Sequence, residues 1–394
     1  MKFIQEPIAN LYKNLSPEIK PFIEKALNSI LTAKKRGGKI VVVTGSGPNI
    51  HEGVTTLMAE LIHQGVIDGV TTSSAVVAHE MAGVLEEIKR VDGIQLGLNP
   101  ELLPRGNGFE ISCLPAEILN SLQQEMSIDL ALIEKANQLP GEVIIKAAGN
   151  MAYPLGLRTE KLAREILVSS QKQGLPFETV AGAGADPRTM LGAAYLKGIP
   201  MLVTLPQLIG GGMVGLAIGD SISIAKRTAL IARMLGNADV IIESAVALTQ
   251  EIHDGPFETY TGHGIWAGWE NVPTYSLEGK TLIRIDLDPN LKKAWDFEKH
   301  SGVVQKAIAQ GLPKSKLMSI PFRMEMSGFA RLEQSLPIVA DIGVIWPILA
   351  WCLAQELDLK LNFMSYPQQT PEGQAMRKWI VENVLPIDKR KLSL

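Results

Sequence analysis

Lys39-Ile-Val-Val-Val-Thr-Gly-Ser-Gly-Pro-Asn49 is the stretch that decides the fold. Ile40 to Val43 is an unbroken β-branched apolar run, the composition of a strand buried on both faces. Thr44-Gly-Ser-Gly-Pro-Asn49 cannot extend it, because two glycines and a proline make a turn. Val54–Gln64 then places apolar residues at 54, 57, 58, 61 and 62, one face of a helix. Val66-Ile-Asp-Gly-Val-Thr-Thr72 supplies a second strand, and His79–Lys89 a second helix. Strand, helix, strand in this order predicts a right-handed βαβ unit.

The alternation continues outward. Glu142–Ala147 reads as a strand and Thr159–Gln173 as a helix. Phe177–Val180 reads as a strand running into an Ala181-Gly-Ala-Gly-Ala-Asp186 loop, and Pro200–Leu205 as another strand. Ser221–Leu235 is a helix, Ala238–Ser244 and Leu336–Ala340 are strands, and Ile345–Leu357 is an apolar helix. The pattern implies a Rossmann-like α/β fold, an open, mostly parallel sheet with helices on both faces. Residues 1–36 read as a helical leader, since Ser16-Pro-Glu-Ile19 resembles a cap with proline in the first turn. Residues 37–370 form a single domain, the charged stretch 271–334 is an insertion over one edge, and 371–394 is a helical tail.

Composition narrows the function. The 394 residues carry 38 Lys+Arg against 41 Asp+Glu, a net charge of −3, and nucleic-acid binders are usually basic. Aromatics at 5% leave few platforms for stacking bases. Two cysteines make no disulfide framework, which fits a reducing compartment. The longest apolar segment, Ile199–Ile218, is interrupted by Pro206 and Gly210–Gly212, and Met1–Asn10 has no signal-peptide pattern. The expectation is a cytoplasmic protein with neither membrane nor nucleic acid as partner.

Candidate site residues fall on turns after strands. The turn around Gly47 and Asn49 can bring backbone amides close to a phosphate. Thr71, Thr72, Ser73 and Ser74 offer four consecutive hydroxyls at a strand end, though Ser and Thr there also serve as caps. Gly182–Asp186 and Gly210–Gly212 are further glycine-rich turns. Glu243–Trp269 gathers Glu251, His253, Asp254, Glu258, His263, Trp266 and Trp269. Carboxylates near tryptophans suit a cationic amine, by charge and cation–π contact; a solvated acidic loop is the plainer alternative. His51, Glu52, His79 and Glu80, with His253, Asp254 and His263, could also be metal ligands, but their spacing matches no metal motif, and no metal is assigned. Cys113 and Cys352 sit among apolar neighbours and read as inert thiols.

In order, these segments resemble deoxyhypusine synthase. Pro48-Asn-Ile, Gly53 and Leu61–Thr72 resemble that family's first βαβ unit, and Leu103-Pro-Arg-Gly-Asn107 its next Asn-bearing loop. Gly182–Asp186, Ile209–Gly212, Leu235-Gly-Asn-Ala-Asp239, Gln250-Glu251 with Asp254-Gly255, and Val339-Ala-Asp341 with Trp346-Pro347 resemble later motifs. The resemblance implies an NAD-binding Rossmann-like fold, a homo-oligomer (dimer or tetramer), and a polyamine, amine or amino-acid substrate. It places NAD along Gly47, Asn49, Thr72, Ser73, Ser74, Asp186, Gly211, Gly212 and Asp341. It makes Glu251 and Asp254 catalytic and sets His253, His263 and Trp266 around the substrate. The family's imine-forming lysine, which moves an aminobutyl group from spermidine, has no counterpart in Ala267-Gly-Trp-Glu270. Two alternatives follow: a true transferase using a displaced lysine such as Lys314 or Lys316, and a non-catalytic ligand-binding protein on the same fold.

Overall fold

The computed structural model describes the chain outside residues 1–4, 46, 150, 205–210, 246–274, 276, 278, 288–292, 294–295, 298–299, 313–316, 318–334 and 393–394. Its strands are β1 (Ile40–Thr44), β2 (Gly69–Thr72), β3 (Leu85–Asp92), β4 (Gly108–Ser112), β5 (Glu142–Ala147), β6 (Met201–Val203), β7 (Val240–Ser244), β8 (Thr281–Asp286) and β9 (Ser335–Val339). Among the described residues six of them form one sheet in the order β6-β2-β1-β7-β8-β9, parallel throughout. Counted along the chain that order is 3-2-1-4-5-6, the doubly wound Rossmann arrangement. The remaining strands make a separate antiparallel sheet, β4-β3-β5.

Alternation along each strand divides the core. Ile40, Val42, Val70, Val203, Ile242, Ile283 and Ile338 share one face, packed with the helices Val54–His63 and Ile342–Glu356. Val41, Val43, Leu202, Ile241 and Leu282 share the other, packed with the helix Ile224–Gly236. Each fully buried Val or Ile contributes about 1.5–3 kcal/mol. The leader forms two helices, Gln5–Asn14 and Lys20–Lys35, that lie on Ile342–Glu356 and bury Ile8, Ile23 and Ile30. The tail helix Pro371–Asn383 buries Met376 and Ile380. No helix among the described residues is long and apolar enough to cross a membrane.

Three stretches differ from the sequence reading. His79–Lys89 is not a helix: the helix is Ser74–Met81, and β3 begins at Leu85. Leu85, Ile88 and Val91 recur every third residue and imitate a helical face, but β4 and β5 pair with the stretch on both sides. Phe177–Val180 is not a strand, and only Ala185 and Asp186 of the expected loop lie outside the helix, for Phe177–Gly184 is one helix. Its glycines serve close packing: a side chain at Gly182 would meet the Leu191 carbonyl and Tyr195 at 2.8 Å, and one at Gly184 the Asp388 carbonyl at 2.7 Å. Residues 281–286, expected within an edge insertion, instead supply β8 inside the sheet. The charges of Arg284 and Asp286 disguise it, because both are buried.

Candidate functional site

In an open α/β sheet the ligand crevice lies beyond the carboxyl ends of the strands, where connections leave in opposite directions. Here that point lies between β1, which leads to β2, and β7, which leads to β8. On the β1 side Gly47 adopts φ 63°, and a side chain there would meet nothing within 4 Å, so the backbone conformation rather than packing demands glycine. Asn49 follows in the short helix Pro48–His51 and is fully buried. Its amide nitrogen donates to the Gly45 carbonyl at 3.3 Å and the Ser244 carbonyl at 3.2 Å. The Ser244 hydroxyl donates to the Asn49 amide oxygen at 2.6 Å and accepts from the Trp346 ring nitrogen at 2.8 Å. This network fastens the β1 turn to the end of β7, so the Asn49 side chain is a latch of the crevice.

The neighbouring strand ends are less complete. The hydroxyls of Thr71, Thr72 and Thr204 are buried and have no hydrogen-bond partner among the described residues. A buried donor left so costs about 1–3 kcal/mol. Ser73 is spent as the cap of Ser74–Met81, accepting from the Val76 N–H at 3.2 Å. Ser74 is buried under Gly211, where a side chain would strike the Ser74 backbone at 2.8 Å. Gly212 opens the helix Gly212–Ser221 with φ 59°.

Asp341 stands just past β9 and caps Ile342–Glu356 through the Gly343 N–H at 2.8 Å. Beside it Glu52 accepts from the Gln368 N–H at 2.7 Å; burial, joined by the charge of Asp341, raises its carboxyl above the ordinary value. Asn49, Thr72 and Asp341 therefore share the carboxyl edge. Asp186 does not join them. It follows a helix, and its oxygens accept from the Arg188 N–H at 2.9 Å and the Leu385 N–H at 3.0 Å. The next carbonyl, Pro187, meets His63 at the far end of Val54–His63, the helix that carries the chain away from that edge.

On the opposite face of the sheet, β7 and β8 hold a polar group with no warning in the sequence. Arg284, fully buried, lies 3.0 Å from the Glu243 carboxylate and 3.5 Å from that of Asp286. Buried charges of this kind persist only when paired.

Among the described residues no group of three or more His, Cys, Asp or Glu is arranged to hold a metal. Glu80 is consumed by a helix start: its two oxygens accept from the Met190 and Leu191 N–H groups, each at 2.9 Å. His51 lies 3.4 Å from the Arg377 guanidinium, and burial, Arg377, His79 and Lys146 lower its pKa. His79 places Nδ1 2.8 Å from the Ala148 carbonyl, and burial lowers its pKa too. Glu251, His253, Asp254, His263 and Trp266 lie outside the described residues, as do Gly210, Lys314 and Lys316.

The chain matches no protein-family model and no curated protein. Its course resembles several solved structures at the level of the fold. An arginine dihydrolase from the ornithine-ammonia cycle in cyanobacteria aligns at 12% identity and a TM-score of 0.39, over 86% of this chain and 32% of that one. AgrE, solved with ornithine and NAD+, aligns at 14% and 0.37, over 87% and 34%. The chain thus spans about a third of the length of both. A candidate deoxyhypusine synthase from Entamoeba histolytica aligns at 9% and 0.44, over 92% of this chain and 96% of that one.

Proposed function

We propose that this chain is an NAD-dependent enzyme acting on an amine or amino acid, built on a deoxyhypusine synthase-like plan. One observation carries the reading: the switch point of a 3-2-1-4-5-6 sheet is flanked by a glycine turn fastened to the end of β7 and by buried hydroxyls without partners among the described residues. The residues present fit a dinucleotide. Gly47, with open space where a side chain would stand, admits close approach of its backbone, and Thr72 and Thr204 offer hydroxyl donors that nothing described uses. Gly211, Gly212 and Asp341 complete the rim. Once bound, the cofactor supplies a hydride acceptor. The protein's share is to exclude water, hold the substrate amine and move its proton. On sequence grounds alone, Glu251 and Asp254 are the proposed acid–base carboxylates, and His253, His263 and Trp266 the substrate contacts.

Calorimetric titration of the full-length chain with NAD tests this. Saturable binding at one site per chain is expected. An absence of binding by NAD would end the reading.

A further inference from the structure

A cavity lies away from the crevice, at the amino ends of the strands. Its volume is about 400 Å³, within the range of small-molecule sites. Lys39 stands just before β1, Asp68 just before β2 and Pro200 just before β6, and all three line it. Val41 and Leu202 supply the sheet side, and Leu230 and Met234 of the helix Ile224–Gly236 belong to the same packed layer. Pro176 and Thr179, at the start of the helix Phe177–Gly184, close a third side. The wall is mostly apolar, and its charged groups among the described residues are Lys39, Asp68 and Arg233.

The two helices are pinned in place. Arg227 meets the Glu178 carboxylate at 2.5 Å, and both side chains are fully buried. Glu178 also accepts from the Val203 N–H at 2.6 Å, and Arg227 donates to the Val203 carbonyl at 3.2 Å. Breaking such a buried pair is strongly unfavourable, so both helices keep a fixed spacing from the edge strand β6. On β2, a side chain at Gly69 would strike the Met234 sulfur at 2.7 Å, so that thioether is seated on the sheet.

The charges at the cavity do not cancel. Asp68 is already neutralised: Lys34 donates to both of its oxygens, at 3.0 and 3.2 Å, and the Ile40 N–H donates to one of them at 2.8 Å. The side chains of Lys39 and Arg233 have no hydrogen bond or ion pair among the described residues. Both are exposed, which puts them at the mouth, whereas Leu202 and Met234 are buried. A neutral or cationic ligand would leave that positive charge unanswered, and an anion with an apolar body answers both surfaces.

We infer that this cavity binds a small carboxylic acid with an apolar body. The tail packs against Leu202, Leu230 and Met234, and Lys39 and Arg233 hold the ionised head. A guanidinium suits that head because it can meet both carboxylate oxygens. The site is separate from the crevice at the carboxyl edge and does not rest on the cofactor reading.

The test uses the full-length chain with 13C-methyl-labelled methionine. Met234 is assigned through Met234→Leu, and Met213, in the helix Gly212–Ser221 at the crevice rim, through Met213→Leu. Octanoate is expected to shift the Met234 methyl signal saturably and to leave Met213 unmoved. No saturable shift at Met234 into the millimolar range overturns the proposal, and so does a shift at Met213 alone, which would seat the acid in the crevice. Octanol, the same chain without the charge, and acetate, the charge without the chain, should each bind about tenfold more weakly or worse. Parity of either with octanoate overturns the assignment. Hexanoate, two methylenes shorter, should also bind about tenfold more weakly than octanoate, and equal affinity would show that the apolar wall is not used. The double variant Lys39→Gln with Arg233→Gln changes only exposed side chains. It should unfold in urea like the parent and bind octanoate about tenfold more weakly or worse. Unchanged affinity in that variant overturns the proposal. Failure of NAD to bind would remove the cofactor reading and leave all of these results standing.

Discussion

Glu80 and Glu86 are six residues apart, both buried, and burial pushes each carboxyl up to about 7. Their surroundings differ in one respect. Glu80 has a backbone N–H on each oxygen, from Met190 and Leu191, at the start of the helix Met190–Lys197. Glu86 has one N–H, from Gly149, with the Ser112 hydroxyl and the Lys146 charge also acting to hold its carboxyl down against burial. Similar burial thus hides unequal surroundings: Glu80 has a backbone donor on each oxygen, and Glu86 on only one. The same contrast separates the Asn49–Ser244–Trp346 latch from the unmatched hydroxyls of Thr72 and Thr204.

The largest break in that comparison comes from truncation. Glu80→Ala orphans two buried N–H groups at once and leaves a cavity, so urea unfolding should show a loss of about 4 kcal/mol. Glu86→Gln keeps an oxygen for the Gly149 N–H. At pH 5 it is a near-isostere of the neutral acid and should lie within about 1 kcal/mol of the parent.

Raising the pH separates the two proteins next. The Glu86 carboxyl has a folded value of about 7, above its ordinary 4.5. Between those values the folded state binds more protons than the unfolded one, so stability falls as pH rises. The contribution is present below 4.5 and gone above 7, on the order of 3 kcal/mol in all. Glu86→Gln lacks it. From pH 5 to pH 8 the variant should gain on the parent by that amount in paired urea titrations. A constant difference would show that the carboxyl is ionised throughout.

How far the sequence reaches follows from which interactions are local. β1, the Gly45–Gly47 turn and β2 are legible because a buried strand is an uninterrupted apolar run and a turn needs its glycines nearby. β3 is misread because Leu85, Ile88 and Val91 keep a helical spacing that only distant β4 and β5 can override. β8 hides behind Arg284, whose neutralising partner Glu243 is on another strand. At the site, Asn49, Thr72 and Asp341 are readable as residues after strands, but their duties are not. Asn49 and Asp341 prove to be occupied by backbone and hydroxyl partners. The contacts of His79 and Glu86 have no local signature at all, since the Ala148–Gly149 peptide, far downstream of both, makes them.

The smallest effect is the most discriminating for the crevice. Thr72 is fully buried on the sheet face shared with Val70, its backbone carbonyl accepts from the Thr204 N–H at 3.1 Å, and its hydroxyl meets no partner among the described residues. Valine matches threonine in shape and removes only that hydroxyl. If the group served the fold, Thr72→Val would cost a hydrogen bond, about 1 kcal/mol. With no protein partner to lose, the variant should instead be as stable as the parent or more stable by up to about 1 kcal/mol, because an unmet polar group is relieved. The proposed cofactor reading assigns that hydroxyl a hydrogen bond to the ligand. NAD should therefore bind Thr72→Val about three- to tenfold more weakly, the loss expected for one neutral hydrogen bond. Unchanged affinity together with reduced stability would return Thr72 to the fold and leave the crevice without its hydroxyl donor on β2.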